Sequence, residues 1–367
     1  MDIYKSKYEK YKTKYLNLKS TLKSANGGAG GQQANPAGGQ QPNTVLTRIS
    51  ELPRELVPHI FQFMTIREIY NTCLTNTQVC IGISWETVLR AKNIPHENVD
   101  VTPEDRLKFG QFCPILDNSE QPREHQSEQQ SEQQRKQQRK QQDYCIIFFK
   151  HMEKLKRTDA DIHTAVRAWN TNKKEAIESY GHIKDWDTSA VTNMERLFYN
   201  MRFFNEDLSS WDVSSVTSMR WMFYGVSSFN SDLSRWNVSS VTDMNSMFGD
   251  ASSFTSDLSS WNTGSVTDME GMFWDATSFN SDLSGWNVSN VKYMTMMFYG
   301  ATSFTSDLSS WNTSSVTHMG GMFNGATSFT SDLSKWDTNS VTEMGFMFSY
   351  ATSFISDLSG WKTGSVT

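Results

Sequence analysis

Seven aspartates recur four residues before a tryptophan: Asp207, Asp232, Asp257, Asp282, Asp307, Asp332 and Asp357. Carboxylates repeated at one interval could line up hard cations such as Ca²⁺. Alternatively, each could accept a hydrogen bond from the backbone N–H of the turn that follows it, as aspartate commonly does. Left unsatisfied, stacked like charges would repel one another. The local bond is the preferred reading, because the chain lacks the Gly-rich nonapeptide of calcium β-rolls. Other reactive side chains are sparse. His59, His96, His125, His151, His163, His182 and His318 are scattered, with no H-x-x-x-H and no partner cysteine. There is no G-x-S-x-G and no phosphate-cradling glycine motif, so neither catalysis nor a cofactor is expected. What remains is recognition. Thirteen residues after successive tryptophans stand Tyr199, Tyr224, Gly249, Trp274, Tyr299, Asn324 and Ser349, and nearby Trp221, Met296 and Phe346 interrupt an otherwise polar position. Aromatic side chains at changeable positions are what a protein-binding patch uses. Tyr199, Tyr224, Trp274, Tyr299 and Trp221 are therefore the target-binding candidates; lateral packing between repeats is the competing explanation.

These columns need an element that repeats. Trp186, Trp211, Trp236, Trp261, Trp286, Trp311, Trp336 and Trp361 lie 25 residues apart, and a fixed period of this length is the signature of a solenoid. In the stretch 208–229, Leu208, Trp211 and Val213 have L-x-x-L-x-L spacing, followed by Val216, Met219, Met222, Phe223 and Phe229. The D-L-S-x-W-N-V-S segment is expected to be the strand of a parallel sheet, and M-x-x-M-F-x-x-A, with helical spacing, the returning turn or short helix. One coil cannot bury these side chains, whereas stacked coils bury a continuous Trp/Phe/Met column. Ser214, Ser239, Ser289 and Ser314, with Thr217, Thr242, Thr267, Thr317 and Thr342, form hydroxyl columns expected to close the turns.

From residue 183 onward this wording resembles the 25-residue Mycoplasma-type surface repeats grouped with BspA-like leucine-rich proteins. The resemblance implies a leucine-rich-repeat-like solenoid used for contact with other molecules on cell surfaces or hosts. Asn237-Val-Ser, Asn287-Val-Ser and Asn312-Thr-Ser fit glycosylation acceptors, which only a secreted chain would use.

Before the repeats the chain changes character several times. Residues 1–23 are lysine-rich, with Tyr4, Tyr8, Tyr11 and Tyr15 on one face of a basic helix. This segment resembles the Tyr/Lys leader found on giant DNA virus proteins. Residues 24–44 have linker composition. In 45–112, Leu52-Pro53 opens a helical pattern, a second short helix runs from Ile66 to Leu74, and a third begins near Ser84. That order resembles an F-box. The resemblance assigns Leu52, Pro53, Leu56, Ile60 and Phe61 to contact with the Skp-type adaptor of a cullin–RING ubiquitin ligase. Pro58 and the Q-V-C-I-G-I stretch depart from the usual pattern. Residues 113–143 are a glutamine-rich spacer, disordered or a lone polar helix. Residues 144–182 return to amphipathic helices, ended by Gly181, and are expected to cap the repeats.

The fold class expected is α+β, a small helical domain followed by the repeat solenoid with its parallel sheet. Residues 181–367 carry 8 Lys+Arg against 19 Asp+Glu, a net acidic array that disfavours nucleic acid. Cys73, Cys80, Cys113 and Cys145 have no metal spacing and none lies in the repeats, which points to reduced thiols. The N-terminus is charged and no run reaches the ~18 apolar residues of a membrane span. The expected setting is intracellular, in a host cytoplasm. The function expected is a non-enzymatic interaction scaffold, an F-box adaptor whose repeats hold a target protein. The alternative is a viral or surface repeat protein without ligase contact. The text stops midway through a coil, which suggests either a truncated protein or a partner or second copy that covers Trp361 and Val366.

Overall fold

A computed structural model of the 367-residue chain describes residues 69–70, 73, 84–96, 99–113 and 128–367. The Tyr/Lys segment, the linker, and Leu52, Pro53, Leu56, Ile60 and Phe61 lie outside the described residues. The chain divides into two compact units, Met1–Lys154 and Leu155–Thr367. The architecture mixes helices with a small parallel sheet and a long run of periodic repeats.

In the first unit, α1 (Trp85–Ala91) starts after Ser84, as the sequence suggests, and buries Trp85, Val88 and Leu89. Helix α2 (Pro103–Phe109) has a reciprocal capping box, in which the Thr102 hydroxyl accepts from the Asp105 N–H and the Asp105 carboxylate accepts from the Thr102 N–H. Helix α3 (Glu128–Leu155) runs through the expected boundary at 143/144, so the glutamine tract and the amphipathic stretch are one helix. Residues 132–137 of its polar part are exposed. From Gln141 on it is anchored: Gln141 accepts from the Trp85 N–H at 3.0 Å, Phe148 meets Trp85 at 5.1 Å and Phe149 stacks on Phe112 at 5.2 Å. Cys113 and Cys145 form a disulfide, and Cys73 is disulfide-bonded as well. This corrects the expectation of thiols. Spacing along the chain carried no trace of the pairing because α2, the following turn and α3 bring Cys113 to Cys145 across 32 residues.

The second unit opens with β1 (Lys156–Thr158), then α4 (Ile162–Thr171), α5 (Lys173–Tyr180) and β2 (Asp187–Ala190), which pairs parallel to β1. Gly181 ends α5 at φ +74°, and a Cβ there would sit 2.3 Å from Leu155. The buried Arg157 guanidinium lies 4.9 Å from the Tyr180 ring and 5.3 Å from Trp186, and pairs with Asp161 at 3.1 Å. Trp169 meets Trp186 edge-on at 6.3 Å, so residues of this opening segment cover the first tryptophan of the repeats.

Within the repeats the apolar columns stack as their constancy implies. Phe198, Phe223, Phe248, Phe273, Phe298, Phe323 and Phe348 follow one another at 5.3–5.8 Å, nearly parallel. A second phenylalanine column, Phe204 to Phe354, packs against the first at 3.9–4.3 Å within each repeat. Every tryptophan from Trp211 to Trp361 donates its indole N–H to a backbone carbonyl 28 residues earlier, at 2.9–3.1 Å, which satisfies the buried ring.

The backbone ladder, however, runs elsewhere than expected. The parallel bridges link Asn193, Ser218, Asp243, Asp268, Tyr293, His318 and Glu343, in the V-T-x-M segment. From there a ladder continues through M-x-x-M-F. Met219, Trp221, Phe223 and Gly225 donate to the carbonyls of Asp243, Asn245, Met247 and Gly249 in the next repeat, at 2.8–2.9 Å. The intervening Met222, Tyr224 and Val226 donate three residues back within their own repeat. This segment is therefore the paired edge and carries turns instead of a helix, although its apolar spacing reads as helical. The reason lies in the backbone donors. Along D-L-S-x-W they are already taken: the aspartate accepts from Ser(i+2), a serine hydroxyl of the next repeat accepts from the leucine N–H, and the tryptophan N–H turns back to the leucine carbonyl. Three of the five donors of this segment are thus engaged in turn and side-chain bonds and do not serve a strand ladder.

Candidate binding face

Each aspartate of the seven-membered column accepts a bond of 2.9–3.0 Å from the N–H of the serine two residues on. Hydrogen bonds from that serine hold all seven carboxyls below their ordinary range. From Asp257 to Asp332, a serine hydroxyl of the next repeat adds a contact at 3.0–3.4 Å. The column is a set of turn fasteners. Among the described residues, no group of three or more His, Cys, Asp or Glu is placed to hold a metal ion.

The varied positions gather on the ladder segment. M-x-x-M-F sends its methionines and phenylalanine inward, and the large residues between them, such as Trp221 and Met296, are left partly or fully exposed. Of the large exposed apolar side chains in the repeats, Tyr199, Tyr293, Met296, Phe346 and Tyr350 fall here, with only Phe203 and Ile355 elsewhere. An exposed apolar concentration of this kind marks an interaction surface.

Structure brings the five sequence candidates together. Tyr199 stacks on Tyr224 at 5.4 Å, Tyr224 faces Trp274 at 6.0 Å, and Trp274 meets Tyr299 at 6.2 Å. Tyr224 and Trp274 belong to repeats that are not adjacent; they close over Gly249, where a Cβ would come within 2.7 Å of the tyrosine ring. Trp221 lies under two guanidiniums, Arg196 at 3.9 Å and Arg220 at 4.3 Å, and Arg196 also reaches Tyr199 at 5.7 Å. A depression of about 310 Å³ opens between these groups, lined also by Ser246, Glu270, Gly271 and Met296.

The spacing of aromatic residues along the chain was a sufficient signal for the rings. It gave no warning of Arg196, which shares the column of Trp221, or of Arg220 and Glu270, one position before that column. Nor did it show that Trp221, Met296 and Phe346 have φ of +52°, +54° and +58°. The same column holds Arg196, Ser246, Gly271 and Gly321, all with positive φ. Left-handed backbone costs an L-residue roughly 1–2 kcal/mol, so bulky side chains here are kept against a local preference for glycine, as happens at functional positions. Partial burial raises the carboxyls of Asp243, Glu270 and Asp275 above their ordinary values, the opposite of the fastener column.

The family described as "Mycoplasma protein of unknown function, DUF285" matches residues 167–286 and 277–367, more than half of the chain. The chain belongs to this family, which supports the resemblance of its repeats to the BspA-like kind. No curated protein and no solved structure matches the chain. Among the described residues, no helix is long and apolar enough to cross a membrane.

Proposed function

We propose that the chain is a non-enzymatic protein-interaction scaffold whose repeats hold a partner on the varied face. The observation that carries this reading is the gathering of Tyr199, Trp221, Tyr224 and Trp274 around one depression, with Tyr299 against Trp274, while constant columns face inward. Photo-crosslinkers placed at Tyr299 and Ser349 should join a bound partner, and one at Ser260, on the D-L-S edge, should not. Equal crosslinking at all three positions would refute the assignment of the face.

The F-box-like pattern of residues 45–112 extends the proposal: the repeats would present a target to a cullin–RING ligase, with Leu52, Pro53, Leu56, Ile60 and Phe61 contacting a Skp-type adaptor in a host cytoplasm. A pull-down of the full chain with purified adaptor, lost in Ile60→Asp/Phe61→Asp, is the expected result. Absence of binding by the unmodified chain would remove the ligase and leave the scaffold. One observation favours a second reading, a viral or surface structural protein. The Cys113–Cys145 disulfide suits an oxidising setting better than a reducing cytosol.

A further inference from the structure

We propose that the notch between Trp221 and Met296 receives a lysine or arginine side chain from an extended segment of a partner protein. The inference rests on the varied face being a binding surface and adds the chemistry of what it binds. Along the left-handed column, Arg196, Trp221 and Met296 are large, whereas Ser246 and Gly271 between them are small. The result is a gap two repeats long with Ser246 and Gly271 as floor. That floor is tight, since a Cβ on Gly271 would stand 2.9 Å from the Ser246 hydroxyl, at φ +57°. Trp221, Trp274 and Met296 supply apolar walls, suited to a methylene stem.

Glu270 also lines this notch. Its carboxyl is raised by partial burial and by Asp268 and Glu343, against which Arg220 and His318 act. A cationic head brought to Glu270 would satisfy that charge. A purely aliphatic side chain would deepen its desolvation, and an acidic one would add repulsion. The surroundings point the same way. The varied columns carry Glu195, Asp243, Asp250, Asp268, Glu270, Asp275 and Glu343 against Arg196 and Arg220, whose guanidiniums already lie over Trp221.

Fluorescence anisotropy with the full chain and labelled peptides tests this. The probes are short peptides alternating serine with arginine, with its neutral isostere citrulline, or with glutamate. The arginine peptide should bind, and citrulline should weaken it about tenfold or more, the loss of about 1.4 kcal/mol from one charge pair. Glu270→Gln and Trp274→Ala should each weaken the arginine peptide by a similar factor with the far-ultraviolet circular dichroism unchanged. Glu178→Gln, on α5, should leave binding alone. Equal affinity for arginine and citrulline peptides, or a Glu270→Gln effect no larger than that of Glu178→Gln, would overturn the proposal. If a citrulline or glutamate peptide binds best and loses affinity in Trp274→Ala alone, the cationic class falls while the face stands. No binding of the arginine peptide up to about 1 mM also overturns the proposal, and the crosslinking result then decides the face by itself.

Discussion

Replacing Ser306 by alanine should loosen the contact between two repeats by about 1–3 kcal/mol. Leu283 is fully buried, and its N–H donates to the Ser306 hydroxyl at 2.8 Å; that hydroxyl lies 3.4 Å from the Asp282 carboxylate. Alanine removes the acceptor without opening a path for water, so the Leu283 N–H is left unpaired in an apolar setting. The cost is then the desolvation of one amide, plus a small contribution from the long contact to Asp282. Ser231 makes the equivalent bond to Leu208 at 2.9 Å, three repeats away. Because each repeat touches only its neighbours, Ser231→Ala and Ser306→Ala should add within about 0.5 kcal/mol. Urea unfolding followed by tryptophan fluorescence reads the change, since eight of the twelve tryptophans belong to the repeat column. Amide exchange of peptides containing Leu283 reads it locally. Ser303→Ala, at an exposed position, is the control. A loss no greater than the control's, with Leu283 exchange unchanged, would mean that the hydroxyl column does not tie the repeats together along this edge.

Other outcomes follow from the same structure. Phe346→Gly should stabilise the repeats by up to about 1 kcal/mol, because Phe346 is 81% exposed at φ +58° and glycine removes the left-handed cost; a lower melting temperature would contradict this. On acidification the seven fastener aspartates and the raised carboxyls of Asp243, Glu270 and Asp275 act in opposite directions. The fasteners have depressed carboxyls, so their contribution is present above the unfolded carboxylate range and is lost as pH falls through their folded values. Asp243 is raised, so its charge destabilises at neutral pH and Asp243→Asn should raise the melting temperature at pH 7 but not below the ordinary carboxylate range. An equal gain at both pH values would refute the assignment. Reduction with dithiothreitol should weaken the first unit by roughly 3–4 kcal/mol for the Cys113–Cys145 loop alone. The repeats contain no cysteine, so their urea transition should not move; a shift there would mean that the two units unfold together.

The period of 25, read directly from Trp186 to Trp361, determined that the second half of the chain stacks, and constancy along the columns determined which side chains turn inward. It also placed the aspartate bond correctly, since Asp-x-Ser is a local turn whose partner lies two residues away. What it could not supply was the destination of backbone donors that pair between repeats. Apolar residues three and four apart in M-x-x-M-F read as helix, yet the alternate N–H groups reach the next repeat; the ladder exists only once the neighbour is in place. The same holds for the face. Aromatic spacing announced Tyr199, Tyr224, Trp274 and Tyr299, but the closing of Tyr224 and Trp274 over Gly249, the Arg196 guanidinium over Trp221 and the place of Glu270 in the lining depend on contacts between side chains 24 to 50 residues apart. The disulfide is the plainest case. Composition counted four cysteines, and only the packing of α3 beside α2 made two of them neighbours.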